Sequence, residues 1–496
     1  MKRRPFLITL GSLLTSCKLA LGNAVDRQFR VTLKNAHKGT LDIDTQLLDS
    51  YGPPPANLRQ FYLDARKVFA DNPTAEFTDQ AIVDAAKRHR LHLMGGPMLG
   101  DLHSNGVTIW LRPATTQTCS IAVAGKTFQG QVDHPGQALR LSITGLAPNT
   151  GYDYQLHVGD HLAAEGNFTT APLDTASDTV RIAFGSCCHK IGVHNLNLFR
   201  QIVGRHPHAM MLLGDIAVDD REGNIAMHRA DYQLRDVSNA WRTLASQVPL
   251  YASWDDHDYF NNDLSGVPKR FTDADRDGVR SVWHENWNNP PADDQRDGIY
   301  FNTRIGPIEI IMLDTRSCRQ NSRRNRYGSY LGETQQAWLK NTLQKSNAPF
   351  KIISSGTMWS DYVSNAKDSW GSWDTEAREE IFQLIEQENV GGVLLVCGDR
   401  HGARGFRIPR PSGFAFYEFE PATLGGVSGP AGLVKDCPDQ LFGYSGTDDK
   451  GNDFIAFGEF TFDMAADDPT VTFRLIGQHG DVFEEIPLVL SDLTPA

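Results

Sequence analysis

Five short apolar runs, each ending in a cluster of acids, histidines or cysteines, constrain this chain more than any other feature. They end in "FGSCCH" from Phe184, "LLGDIAVDD" from Leu212, "ASWDDHDYFNND" from Ala252, "MLDTRSCR" from Met312 and "VCGDRHG" from Val396. Strands are expected at 181–186, 209–214, 249–253, 309–313 and 392–397, alternating with amphipathic helices such as "ETQQAWLKNTLQ" and "EAREEIFQLIEQ". Such alternation predicts an α/β domain. In α/β sheets ligands bind beyond the carboxyl ends of strands, which is where these polar clusters fall. A single Gly-Asp after a strand is common, but five such ends in one domain outweigh the reading of solvated loop acids.

What precedes this domain divides into three. Residues 1–24 carry a basic start and a short apolar run, "MKRRPFLITLGSLLTSC", the pattern of an export signal. Arg3-Arg4 resembles a twin-arginine signal, which implies the twin-arginine export machinery as a partner. Two processing sites stay open, a lipid anchor at Cys17 and a small-x-small cleavage at Gly22-Asn23-Ala24. Either implies a periplasmic or lipid-anchored envelope location. Residues 25–90 hold two helix-like stretches, "NLRQFYLDARKVFA" and "FTDQAIVDAAKRHR", to which no chemistry is assigned. Residues 91–172 read as short alternating strands, and "LAPNTGYDYQL" resembles the tyrosine corner of a fibronectin- or Ig-like β-sandwich. The catalytic α/β domain is expected over 178–490.

A net charge of −12 argues against a nucleic-acid binder, but not against an anionic substrate, because bound cations invert the local potential. Seven cysteines, sparse and odd in number, are no disulfide framework. A bridge between the adjacent Cys187 and Cys188 would be strained, since neighbouring Cα atoms lie about 3.8 Å apart and disulfides want roughly 4.4–6.8 Å. Cys187 and His189 would share one side of an extended backbone, with Cys188 packed away from them. Cys397 reads as a buried small residue.

The set fits a two-metal hydrolase, in which cations roughly 3.5–4 Å apart share a bridging carboxylate. Asp215 is placed to bridge. Cys187, His189, Asp256, Asp399 and His401 are candidate ligands, and a thiolate suits iron or zinc. His257 is the candidate proton donor to a leaving oxygen. "DADRDG" from Asp273 has the acid spacing of a calcium loop but His284 at its twelfth position. It is taken as a polar turn ahead of the helix "GVRSVWHENW".

The ordered segments resemble the PhoD-like alkaline phosphatases, within the calcineurin-like metallophosphoesterases. The matching motifs are Gly-Ser-Cys, Gly-Asp with a later acid, Trp254 to Asp258 with Asn262-Asp263, Leu-Asp-Thr-Arg, "LGETQQAWL" and Gly-Asp-x-His. The resemblance implies a layered α/β/β/α catalytic domain behind a β-sandwich. It also implies an exported phosphoester hydrolase that uses a metal-bound hydroxide. Cys187 corresponds to the family's metal-binding cysteine, Asp215 to the bridging acid, Asp256 and His257 to an Asn-His pair, and Asp399 and His401 to the last paired ligands. Iron with calcium is implied, with zinc as an alternative. Arg316 matches a family arginine, either a phosphate contact or a structural ion pair.

Two departures stand out. The family's Asn or Tyr after the bridging acid, and its Tyr three residues on, are here Ile216 and Val218; Asp219 or Asp220 is placed to compensate. "IISSGTMWSD" also lacks the histidine of the wider fold. Two rival readings remain, a phosphodiesterase acting on lipid head groups or nucleotides and a non-catalytic envelope protein with a degraded site.

Overall fold

The apolar runs ahead of the acid clusters become the strands Val180–Gly185, Ala209–Leu213, Leu250–Ser253, Ile308–Met312 and Val393–Val396. The last four are buried at every position, as parallel strands covered on both faces must be. The computed structural model describes residues 31–49, 52–291, 297–363, 368–447 and 453–496. The export motif at Arg3-Arg4 and both processing sites lie outside the described residues.

The strands belong to two large sheets. In a six-stranded sheet Leu250–Ser253, Ala209–Leu213 and Val180–Gly185 run parallel. Ala456–Asp463, Thr470–Gly477 and Val482–Val489 extend it in antiparallel fashion. In a seven-stranded sheet Ile308–Met312, Phe350–Ser354, Val393–Val396 and Ala415–Pro421 run parallel. Phe301–Ile305 closes one edge, and Gly402–Pro409 and Gln440–Ser445 the other. The sequence reading did not anticipate Phe350–Ser354 or the strands beyond residue 402.

Alternation along each strand makes the layers. Ile182, Phe184, Met211 and Leu213 meet Ile310, Met312, Ile352 and Val396 in one apolar cluster between the sheets. Phe419 stacks on Phe473 across that gap with ring centroids 4.3 Å apart. The residues between them face outward. Ala183, Met210 and Leu212 pack with Leu198, Phe199 and Leu244 from the helices Leu196–Gly204 and Asn239–Ala245. Ile311, Ile353 and Leu395 pack with Leu339 of the helix Glu333–Lys345 and Ile381 and Phe382 of the helix Thr375–Gln387. The order is helix, sheet, sheet, helix, and each fully buried large apolar side chain contributes about 1.5–3 kcal/mol.

Upstream, the helices Ala56–Asp71 and Gln80–Arg88 form where the apolar spacing places them. Seven further strands between Leu93 and Thr169 make a three-stranded and a four-stranded sheet. Leu111, Ile121 and Leu156 from these sheets belong to the same continuous apolar cluster as the two large ones. The Tyr152 hydroxyl accepts the Ala147 N–H at 3.0 Å. "DADRDG" is not a turn before a helix: it is the first turn and a half of the helix Asp273–Asn286. Thr272 and Asp275 form a capping box there, so Thr-x-x-Asp chemistry at the N-terminus overrides the calcium-loop spacing. No helix among the described residues is long and apolar enough to cross a membrane.

Candidate metal centre

The loops that follow the parallel strands of both sheets meet at one rim, and several of their residues leave the ordinary backbone regions. Cys187, His189, Asp215, Ala217, Asp220, Asp399 and His401 all have φ between +48° and +79°. Left-handed conformations cost energy in non-glycine residues and gather at functional sites. Cys187 and His189 therefore do not share a side through an extended backbone, as the i, i+2 spacing suggested; two left-handed residues turn them inward. Gly214 has φ +109°, and a Cβ there would lie 2.6 Å from that of Asp255, so only glycine lets these two loops touch.

Cys187, His189, Asp215 and His401 each offer a ligand atom, and those atoms all lie within 4.8 Å of one another. The Cys187 Sγ is 3.6 Å from Asp215 Oδ2, and the Nε2 atoms of His189 and His401 are 3.5 Å apart. Asp215 also groups with Asp256 and His257, and Asp256 groups with Asp255 and Asp399. Asp215 is thus common to two donor clusters, the geometry a bridging carboxylate needs. Cys188 packs with Val193 and Leu424 in the apolar layer. Cys397 is buried beside Glu418.

Around these donors stand residues that orient them. Asp219 accepts from His189 Nδ1 at 2.7 Å and from the Lys190 N–H at 3.1 Å. Asp220, expected as a metal ligand, places Oδ1 2.7 Å from His257 Nδ1 and groups with His37 and His257 rather than with Asp215. Both carboxylates leave the Nε2 of their histidine turned to the centre, the arrangement of a carboxylate–histidine–metal triad. Asp258 accepts the N–H groups of Asp215 and Ile216 at 2.5 and 2.8 Å, which fixes the loop that carries the bridging acid. Asp219, Asp255 and Asp258 lie inside the motifs quoted from the sequence, but nothing local separates an orienting acid from a ligating one.

Of the two roles open for Arg316, the structure shows the ion pair. Its side chain is 0% exposed, with Nε 2.5 Å from Asp255 and Nη1 3.1 Å from Asp368. Nη2 lies 3.7 Å from Asp256 and 3.8 Å from Asp399. Its charge sits behind the acids rather than at solvent. Asp368 is a site neighbour that the sequence motifs did not reveal, and so is His37. The latter belongs to the segment assigned no chemistry, yet its Nδ1 is 3.2 Å from Asp220 Oδ2 and its ring centroid 4.5 Å from that of His257.

The electrostatics of the donors favour an added positive charge. Burial, with Asp256 and Asp255 nearby, pushes the Asp215 carboxyl well above its ordinary range despite His257. Burial and the acids Asp368, Asp255 and Asp256 do the same to Asp399. Burial raises Asp255 to about 6 even beside Arg316, and burial and then Asp215 raise the Cys187 thiol. Burial and then His189 depress His401 to about 3. His257 goes the other way: burial opposes its charge, but Asp256, Asp215 and Asp220 together raise it well above the ordinary histidine value. Asp215 Oδ1, Asp255 Oδ2 and Asp399 Oδ2 are buried without any hydrogen-bond partner. Unpaired buried carboxylate oxygens are costly, and cations among them would satisfy each at once. The donor set fits metal ions.

Fold and site define a layered α/β protein with a Cys/His/Asp centre fitted to cations. The fold is shared with the solved structure of PhoD, with a TM-score of 0.63, 18% identity and coverage of 80% of this chain and 89% of that one. It is also shared with a purple acid phosphatase from yellow lupin (Lupinus luteus) seeds, with a TM-score of 0.55, 14% identity and coverage of 80% and 75%. The PhoD-like phosphatase family profile matches residues 182–429, and the chain belongs to that family. A curated relative, alkaline phosphatase D of Bacillus subtilis (strain 168), is 23% identical over 321 residues, 54% of this chain. The chain spans about half the length of that relative, 53%.

Proposed function

We propose that this protein is a metal-dependent phosphoester hydrolase, and one observation carries the reading: Asp215 is shared by two adjoining clusters of ligand atoms. On one side Cys187, His189 and His401 would hold a cation with Asp215. On the other, Asp256, with Asp399 and Asp255 nearby, would hold a second. Held there, cations would supply Lewis acidity toward a phosphoryl oxygen and activate water at neutral pH. The thiolate and imidazoles of the first cluster suit iron or zinc, and the oxygen-rich second suits a harder ion such as calcium. Where Val218 stands in place of the family's tyrosine, His189, within 4.8 Å of the other donors of this cluster, would offer an imidazole to the same cation.

The chain's own groups do the rest. His257, held by Asp220 through Nδ1, gives its proton to the departing oxygen. Arg316 balances the charge of Asp255, Asp256 and Asp399 without reaching substrate. Asp258 and Asp219 keep the bridging loop and His189 in register. The same reading takes residues 178–490 as the catalytic domain and the strands between Leu93 and Thr169 as a fibronectin-like sandwich. The Tyr152–Ala147 hydrogen bond supports the latter as a tyrosine corner. It also takes residues 1–24 as a twin-arginine-type export signal with a possible anchor at Cys17, which makes the location periplasmic or envelope-bound.

The test pairs elemental analysis of the purified protein with hydrolysis of p-nitrophenyl phosphate and bis-p-nitrophenyl phosphate. Bound metal and turnover of at least one ester, both lost in Asp215→Asn, are expected. Turnover retained in that variant overturns the reading, and the ratio of the two esters separates a monoesterase from a diesterase.

A further inference from the structure

His37 comes from a part of the chain that no motif of the family covers, since the matched residues begin at 182. It caps the C-terminal end of the short helix Leu33–Ala36 and stands beside the metal centre. Its Nδ1 lies 3.2 Å from Asp220 Oδ2, and its Nε2 lies 3.9 Å from Asp219 Oδ1. Its ring centroid is 4.5 Å from that of His257 and 5.7 Å from that of His189. One imidazole thus faces both carboxylates that orient His189 and His257.

The segment carrying His37 is fixed in place by a buried ionic lock. The Gly39 carbonyl accepts from Arg66 at 2.7 Å and from Arg221 at 3.2 Å. Gly39 has φ +52°, and a Cβ there would overlap the Arg221 guanidinium. Asp44 pairs with Arg66 at 2.8 Å and lies 3.4 Å from Lys190 Nζ. Asp231 pairs with Arg221 at 2.6 Å and lies 3.5 Å from Lys190. Lys190 and Arg221 follow His189 and Asp220 directly in sequence. The lock therefore grips the two loops of the centre at the residues next to the ones His37 faces.

We infer that His37 is a positioning residue of the catalytic centre: by engaging Asp220 Oδ2 it holds Asp220 Oδ1 on His257 Nδ1, and so aims the His257 Nε2 at the leaving group. The two oxygens of Asp220 are divided between the two rings. Without His37, Asp220 Oδ2 loses that neighbour while Oδ1 keeps only the Asn262 N–H beside His257, so the carboxylate can turn more freely and directs the His257 ring less firmly. The kinetic part of this inference rests on the phosphoesterase reading, and the hydrogen-bond part does not.

The experiment compares wild type, His37→Ala and His37→Asn, the last placing an amide N–H near the position of the lost Nδ1. In protein with 15N-labelled histidine, NMR should show a slowly exchanging His257 Nδ1–H, assigned by its loss in His257→Gln. That signal should broaden away in His37→Ala and return in His37→Asn. With p-nitrophenyl phosphate or its bis-ester, His37→Ala should lower kcat by about 10- to 100-fold. KM, bound metal and Tm should stay near wild type, and His37→Asn should recover most of the loss. A His257 signal that is fast-exchanging in wild type or unchanged in His37→Ala overturns the inference. So does an Asn variant as impaired as the Ala variant, or a kcat loss that follows metal or Tm. Wild-type protein that turns over neither ester defeats the phosphoesterase reading alone, because the NMR arm is decided without turnover.

Discussion

The metal centre and the ionic lock behind it lie a few ångströms apart and solve the burial of charge in opposite ways. In the lock, Asp44 and Asp231 face Arg66, Lys190 and Arg221, all at or below 8% side-chain exposure. The Asp44 carboxyl is held below its ordinary value: burial works against it, but Lys190, Arg221 and Arg66 prevail. In the centre, acids crowd acids, the carboxyls of Asp215 and Asp399 are pushed up, and three carboxylate oxygens have no hydrogen-bond partner. The lock is complete with protein groups alone. The centre is short of positive charge, and that deficit marks it as a place for cations.

Breaking the centre should cost function. Asp215→Asn or Cys187→Ala should lower phosphoester hydrolysis by about 1000-fold or more, in line with the loss of a metal or an oxyanion stabiliser. The far-UV circular dichroism should be unchanged and bound metal, counted by elemental analysis, should fall. Breaking the lock should cost folding. Asp44→Ala leaves Lys190 and Arg66 short of a buried partner, and such losses run to about 3–5 kcal/mol. Urea unfolding should show it, and added metal should not restore the stability.

A subtler variant lies on the border of the two regions. Asp219→Asn keeps the hydrogen bond to the Lys190 N–H but no longer holds His189 Nδ1 as a carboxylate does. About 10- to 100-fold weaker metal binding is expected, measured by competition with a chelator, and the unfolding midpoint of the stripped protein should move little.

The smallest effect is one of sign. Asp44 has a folded pKa below its unfolded value of 3.8. The stability it contributes is present above that value and lost as pH falls through the lower folded one. Asp215 and Asp399 in metal-stripped protein have folded pKa values raised above the same 3.8. Their contribution is present below it and lost as pH rises toward the folded values. Unfolding of stripped protein across pH should therefore show a wild-type loss of stability above about pH 4 that Asp399→Asn reduces. Metal-loaded protein should lack that slope, and a slope that survives metal addition would remove the contrast between the two regions.

How much of this was legible follows the range of each signal. The strands Ala209–Leu213 and Ile308–Met312 lie within a residue of where their apolar runs put them, because a fully buried strand must be apolar throughout. The helices Glu333–Lys345 and Thr375–Gln387 carry their own amphipathic period. Cys187, Asp215, Asp256, Asp399 and His401 could be picked out because chemistry placed directly after a strand leaves a local mark. Asp219 and Asp220 were visible as acids, but the histidine each one faces was not, since His189 and His257 come beside them only through the fold. Asp273 to Gly278 was read as a polar turn because its run of acids and glycine looks like a loop, whereas Thr272 and Asp275 cap it as the start of a helix.

The sequence by itself determined the α/β alternation, the edge at which the chemistry stands and most of the donor atoms, for these depend on residues close together in the chain. Only the tertiary structure decided that the strand Ala456–Asp463 pairs with Val180–Gly185 at the middle of a sheet, and that Arg316 is enclosed by four acids. It also decided that His37 reaches Asp220. Those contacts join segments whose local patterns carry no record of one another. They form because burying apolar layers and neutralising Asp44, Lys190 and Arg221 together outweigh the entropy of bringing the segments into contact.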